Sequence, residues 1–167
     1  MNVAYEKLIE HLDENEVKYL TSPDQQTISA DFRGEIGTYR IVASVEPELQ
    51  LFQVYAYSPL RVPAGCRSAI AETIVRANCG LRVGKFELDL DDGGLRFQAS
   101  QFLPYDTLEG ETIERLIGTA MKMLDIYLPA VLSVIYGNEL PKDAIFHVEG
   151  VRPVDALPEE GTNDERE

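Results

Sequence analysis

The sequence predicts an α+β protein of two layers, in the order helix-β-β-β-helix-β-β-helix, with an antiparallel five-stranded sheet. Three observations predict it. Apolar residues recur at helical spacing in three stretches and alternate with polar ones in five. The strand-like stretches are joined by connections too short for parallel crossovers. A chain of 167 residues with 44% apolar and 26% charged composition suits one domain with a core of its own.

Residues 2–14 place Tyr5, Leu8, Ile9 and Leu12 on one helical face and Glu6, Lys7, Glu10 and Asp13 on the other. A turn signal, Thr21-Ser22-Pro23-Asp24, then leads into two alternating runs. Ile28, Ala30 and Phe32 form the inner face of the first, and Tyr39, Ile41, Ala43 and Val45 that of the second, with a turn at 34–37 between them. Glu46-Pro47-Glu48 turns the chain into a third strand at 49–57. Val62-Pro63 opens a second helix, whose stripe is Cys66, Ile70, Ile74 and Ala77 and whose stop is Gly80. Strands at 85–90 and 95–102 flank the hairpin signal Asp91-Asp92-Gly93-Gly94. The last long helix starts near Glu109 and keeps one apolar stripe from Ile113 to Ile135, with a kink expected at Pro129. Residues 141–148 are a candidate short helix. The domain is expected to span 1–151, and 152–167, rich in Pro, Glu, Asp and Gly, an acidic disordered tail.

Charge excludes several functions. The net charge is -14 at pH 7, of which the tail carries -4 and the domain -10. Phosphate neutralisation needs clustered Lys and Arg, so neither a nucleic acid nor an anionic membrane is an expected partner. The N-terminus lacks the basic start and apolar run of a signal peptide, and the longest apolar stretch, 126–136, is too short for the roughly 20 residues that span a bilayer. Cys66 and Cys79, thirteen residues apart in one predicted helix, would lie about 20 Å apart. They are expected as free thiols, which fits a reducing cytoplasm.

No motif points to catalysis, a cofactor or a metal. His11 and His147 are far apart in the chain, and no Gly-x-Ser-x-Gly elbow or Cys-x-x-Cys spacing occurs. Residues 80–85 miss the phosphate-loop pattern in glycine spacing, in Phe86 after the lysine and in the strand that follows. Asp89, Asp91 and Asp92 resemble a calcium loop only until Gly93 and Ser100, where ligands are required. A hairpin turn is the expected role of these aspartates.

The third strand is the most informative feature. Phe52, Val54 and Ala56 form one face and Leu49, Leu51, Tyr55 and Tyr57 the other, so both faces are apolar. Either this is a central strand whose second face is covered by the long helix or the C-terminal segment, or that face meets a partner chain. Leu49, Leu51, Tyr55 and Tyr57 are therefore the candidate partner-binding residues.

The element order is that of type III secretion chaperones and their relatives. Local motifs sharpen this: Val62-Pro63, then Asn78-Cys79-Gly80-Leu81-Arg82-Val83-Gly84-Lys85-Phe86-Glu87-Leu88-Asp89, then Asp92-Gly93, Asp125-Ile126-Tyr127-Leu128-Pro129 and Ala144-Ile145. In these the chain resembles, over residues 3–149, the YbjN-like family of bacterial sensory-transduction regulators. The resemblance implies a secretion-chaperone-like fold, no catalytic or cofactor-binding residue, and relatives that dimerise and hold extended polypeptide segments. The expected function is a non-enzymatic, cytoplasmic protein-binding or regulatory module, as a homodimer, with another protein or peptide segment as partner. The alternatives are a small carboxylate-dependent hydrolase or isomerase with its site between sheet and long helix, and a structural subunit of a larger assembly.

Overall fold

The computed structural model describes residues 2–150. The acidic tail expected at 152–167 lies outside the described residues. The elements are α1 (Val3–Glu14), β1 (Tyr19–Ser22), β2 (Thr27–Arg33), β3 (Thr38–Glu46), β4 (Leu51–Arg61), α2 (Arg67–Asn78), β5 (Lys85–Leu88), β6 (Gly94–Phe102), α3 (Gly110–Tyr136) and α4 (Pro141–Glu149). The strands make one open antiparallel sheet in the order β1-β2-β3-β4-β6-β5.

The sheet has six strands where five were expected. The added strand is β1, whose four residues Tyr-Leu-Thr-Ser are too few to display a period of two and overlap the turn signal at Thr21-Ser22-Pro23-Asp24. It forms because β2 offers a free edge, and it pairs only with residues 27–30 before Pro23 ends it. The helices match expectation more closely. Asn2 caps α1 by accepting from the amides of Ala4 and Tyr5 at 2.8 and 3.3 Å. Gly80, at φ 98°, supplies the left-handed stop after α2.

All four helices feed one core with one face of the sheet. Tyr5, Leu8 and Leu12 of α1, Ile70 of α2, Leu124 and Leu128 of α3 and Ala144 of α4 join Ile28, Ile41, Phe52, Val54 and Phe97 in a single buried cluster. Within it Tyr127 and Phe97 meet Phe86 edge-on, at centroid distances of 5.3 and 4.9 Å. By length and mean hydropathy α3 could cross a membrane, but its apolar stripe is buried against this sheet. It also runs through Pro129, which has no N–H to give the carbonyl of Asp125.

Two polar joints lock the layers. The Asp125 carboxylate accepts from the amides of Glu35 and Ile36 at 3.0 and 3.2 Å and from the Tyr39 hydroxyl at 2.6 Å, pinning the β2–β3 turn to α3. Gly34 lies so close that a Cβ there would stand 2.7 Å from that carboxylate and 2.5 Å from the Tyr39 ring. Burial works against ionisation of Asp125, but the Glu35 amide, the Tyr39 hydroxyl and the Ile36 amide outweigh it and hold its carboxyl below the usual value. Burial, reinforced by that carboxylate, pushes Tyr39 up. At the far edge, the Asn78 amide donates to the Phe86 carbonyl at 3.0 Å and accepts from its N–H at 2.7 Å, occupying main-chain groups of β5 that would otherwise offer an edge for pairing.

Asp125→Asn keeps an acceptor but loses the charge, and should cost about 2 kcal/mol in denaturant unfolding. Because the folded-state pKa is depressed, the stabilisation is complete above the ordinary carboxylate range and disappears as pH falls through the lower folded-state value. The difference between wild type and Asp125→Asn should shrink over that acid window. Asn78→Ala should cost a similar 2 kcal/mol or so and raise aggregation on heating, since it unpairs a strand edge.

Candidate functional site: the uncovered sheet face

The face opposite the helices has no helix over it among the described residues. Strand pairing sets its side chains in rows. One row runs Asp31, Arg40, Tyr57, Arg96, Glu87; the next runs Ser29, Val42, Tyr55, Gln98, Lys85. Toward the other end lies Glu46, Leu51, Phe102.

The four residues singled out by the sequence part company here. Leu51, Tyr55 and Tyr57 sit half-buried on this face of β4. Leu49 does not belong to the strand. Pro47 starts a short 3-10 turn through Leu49, and Gln50 at φ 49° redirects the chain, so β4 begins at Leu51 and Leu49 stands 58% exposed at the border. Strand β4 is central, as one reading of its doubly apolar pattern held. The long helix, however, lies on the other face.

Arg96 organises the middle of the surface. Its guanidinium lies 4.4 Å from the Tyr55 ring centroid and 5.8 Å from that of Tyr57, donates to the Tyr57 hydroxyl at 3.1 Å and pairs with Glu87 at 2.7 Å. Burial penalises the guanidinium, yet the Tyr57 hydroxyl and Glu87 raise its pKa. Burial likewise opposes ionisation of Glu87, and Arg96 with Lys85 overcomes it and lowers the carboxyl. Burial lifts Tyr55. Arg96 was missed in the sequence because it is an ordinary outward residue of an alternating strand. Only the register of β6 on β4 brings it between the tyrosines.

Charge is distributed unevenly along the face. Arg33, Arg40, Arg96 and Lys85 lie toward one end, with Arg61 beyond them. No Lys or Arg occurs in 43–53 or 99–108, the stretches that lead to and form the other end. That end has Glu46 and Glu48 instead, beside Phe102, which is 74% exposed.

Elsewhere, carboxylates are engaged structurally. The Asp89 carboxylate accepts from the amides of Asp91 and Asp92 at 2.8 and 3.2 Å, and that of Asp92 accepts from Gly94 and pairs with Arg61. The hairpin turn expected for these aspartates is what they build. Ser133 and His147 converge on Glu139, the imidazole 2.5 Å away. The order is serine, glutamate, histidine, so the imidazole does not touch the hydroxyl it would have to deprotonate in a nucleophilic triad. His11 packs beside Glu114 at 3.6 Å. Cys66 is a free thiol. No group of three or more His, Cys, Asp or Glu able to hold a metal occurs among the described residues.

The family model described as "Putative bacterial sensory transduction regulator", YbjN, matches residues 4–133. The chain belongs to the YbjN family. Among solved structures, the crystal structure of YbjN from E. coli aligns with a TM-score of 0.55 at 13% identity, covering 74% of this chain and 88% of that one, a likeness of fold. A chain of the HopA1–SchA chaperone–effector complex aligns with a TM-score of 0.49 at 16% identity, covering 74% of this chain and 92% of that one. No curated protein matches the sequence. In this YbjN-family chain the motif residues serve the fold: Asn78 closes the β5 edge, Gly93 at φ 78° donates to Asp89 and accepts from Val62, and Asp125 ties α3 to the sheet. Family membership supports a regulatory role.

If this face is built for contact rather than for the fold, its exposed residues can be changed cheaply. Phe102→Ala should alter stability by no more than about 1 kcal/mol, whereas Phe97→Ala, on the helix-covered face of the same strand and fully buried, should cost about 3–5 kcal/mol. Parallel thermal melts decide it.

Proposed function

We propose that the protein is a non-enzymatic, cytoplasmic regulatory module that binds another polypeptide across the uncovered sheet face. Leu51, Tyr55 and Tyr57 would lie in the contact, with Leu49 at its border. One observation carries this reading: the central strand is aromatic and aliphatic on both faces while, among the described residues, helices cover only one. A face intended only for water has little use for two tyrosines, a leucine and a valine on adjacent strands, with an arginine stacked between the rings. Tyr and Arg are the residue types that most often anchor protein contacts.

The non-enzymatic part draws support from the employment of the carboxylates. Asp125, a carboxylate at the joint between sheet and long helix, is held by two amides and a hydroxyl and so is committed to the fold. A homodimer, expected from the family resemblance, is part of the reading. Light scattering should give twice the chain mass of 18.7 kDa.

The test compares wild type with Tyr55→Asp/Tyr57→Asp as bait in lysate of the native host. The variant should melt within a few degrees of wild type and lose a stoichiometric partner that wild type retains. An identical set of co-purifying proteins from a folded variant would remove the surface from consideration.

A further inference from the structure

The inference below rests on the protein-binding reading and moves the contact to one end of the face. We infer that Leu49, Leu51, Phe102 and Tyr105 form a docking platform for an amphipathic, lysine- or arginine-rich segment of a partner polypeptide. The apolar side of that segment would cover the platform and its cations would lie over Glu46 and Glu48.

The platform is a cross-strand pair flanked by two turns tied to each other. Leu51 and Phe102 are direct cross-strand neighbours on the uncovered face, and the Leu103 amide donates to the Gln50 carbonyl at 2.7 Å, holding the turn that carries Leu49 against the one that carries Tyr105. It is exposed: Leu49 is 58% accessible, Phe102 74% and Tyr105 94%. Tyr105 also adopts left-handed backbone, φ 57° and ψ 33°, which is uncommon for an aromatic residue. Three large apolar side chains left in water around a half-buried fourth mark an interaction patch rather than scattered surface residues.

Charge selects the occupant. Glu46 shares a row with Leu51 and Phe102, Glu48 directly precedes Leu49, and no Lys or Arg occurs in 41–60 or 97–114. The cations of the face lie toward its opposite end, at Arg33, Arg40, Lys85 and Arg96. A second copy placing the same end here in two-fold contact would set Glu46 and Glu48 against their own kind. The chain's own residues 152–167, at net -4, would meet the same repulsion, as would an anionic lipid surface. A cationic amphipathic segment meets none of it.

The experiment uses the full-length protein and two short fluorescein-labelled peptides with one leucine pattern, the remaining positions filled by lysine in one and glutamate in the other. Fluorescence anisotropy should detect the lysine peptide and not the glutamate peptide. Leu49→Ser/Phe102→Ser, which leaves every charge in place, should weaken the lysine peptide about tenfold or more. Glu46→Lys/Glu48→Lys should reverse the preference, and melting curves should show both variants folded. Equal binding of the two peptides, or lysine-peptide binding indifferent to the serine substitutions, overturns the inference. Amide shift changes confined to Tyr55, Tyr57 and Arg96 overturn it while leaving the broader protein-binding reading intact. Self-association through the platform, or no binding of either peptide, also overturns it.

Discussion

A single layer of helices can cover only one side of a sheet, and in this protein that constraint governs nearly everything else. With α1, α2 and α3 laid on the side that carries Ile41, Phe52, Val54 and Phe97, and α4 packed on α2 and α3, the alternate side chain of every strand must face outward. On β2 and β3 most of these outward residues are Thr, Ser, Asp and Arg, as a wet face requires. On β4 they are Leu51, Tyr55 and Tyr57. The functional question arises at the one strand where sequence pattern and layer count disagree.

The joints that make the two-layer arrangement rigid are polar. Asp125 reaches from α3 to the β2–β3 turn, and Asn78 reaches from the end of α2 to β5, each satisfying main-chain groups that would otherwise be left open. Gly34 and Gly93 belong to the same design, because a side chain at either would collide with the carboxylate of Asp125 or the carbonyl of Val62. Asn78, Gly93 and Asp125 are also among the residues that carry the family resemblance in the sequence, which explains why its motifs disclose a fold so readily and a chemistry so poorly.

Much of the fold was legible because its periodicities are long and clean. Seven-residue and longer runs of alternation at β2, β3 and β6 admit one reading, and the stripe of α3 persists for more than six turns. Strand β1 was illegible because four residues cannot establish a period and its pairing is decided by β2. The surface was half legible. Alternation alone places Leu51, Tyr55 and Tyr57 together, but Leu49 leaves the strand because Pro47 forces a turn and Gln50 turns left-handed, which no count of twos reveals. Arg96 and Phe102 join the site only through the β4–β6 register, a long-range fact. The separation of cations from the Leu49–Phe102 end becomes visible once that register is known.

The account stands on the second face of β4 being open to solvent in the free protein. Paramagnetic attenuation of NMR signals by a soluble nitroxide, measured on dilute full-length protein, reads this directly. Leu51, Tyr57 and Phe102 should lose intensity strongly while Ile41, Val54 and Phe97, on the helix-covered face, should keep theirs. Equal protection of both sets would mean that the face is already covered, and would contradict the account.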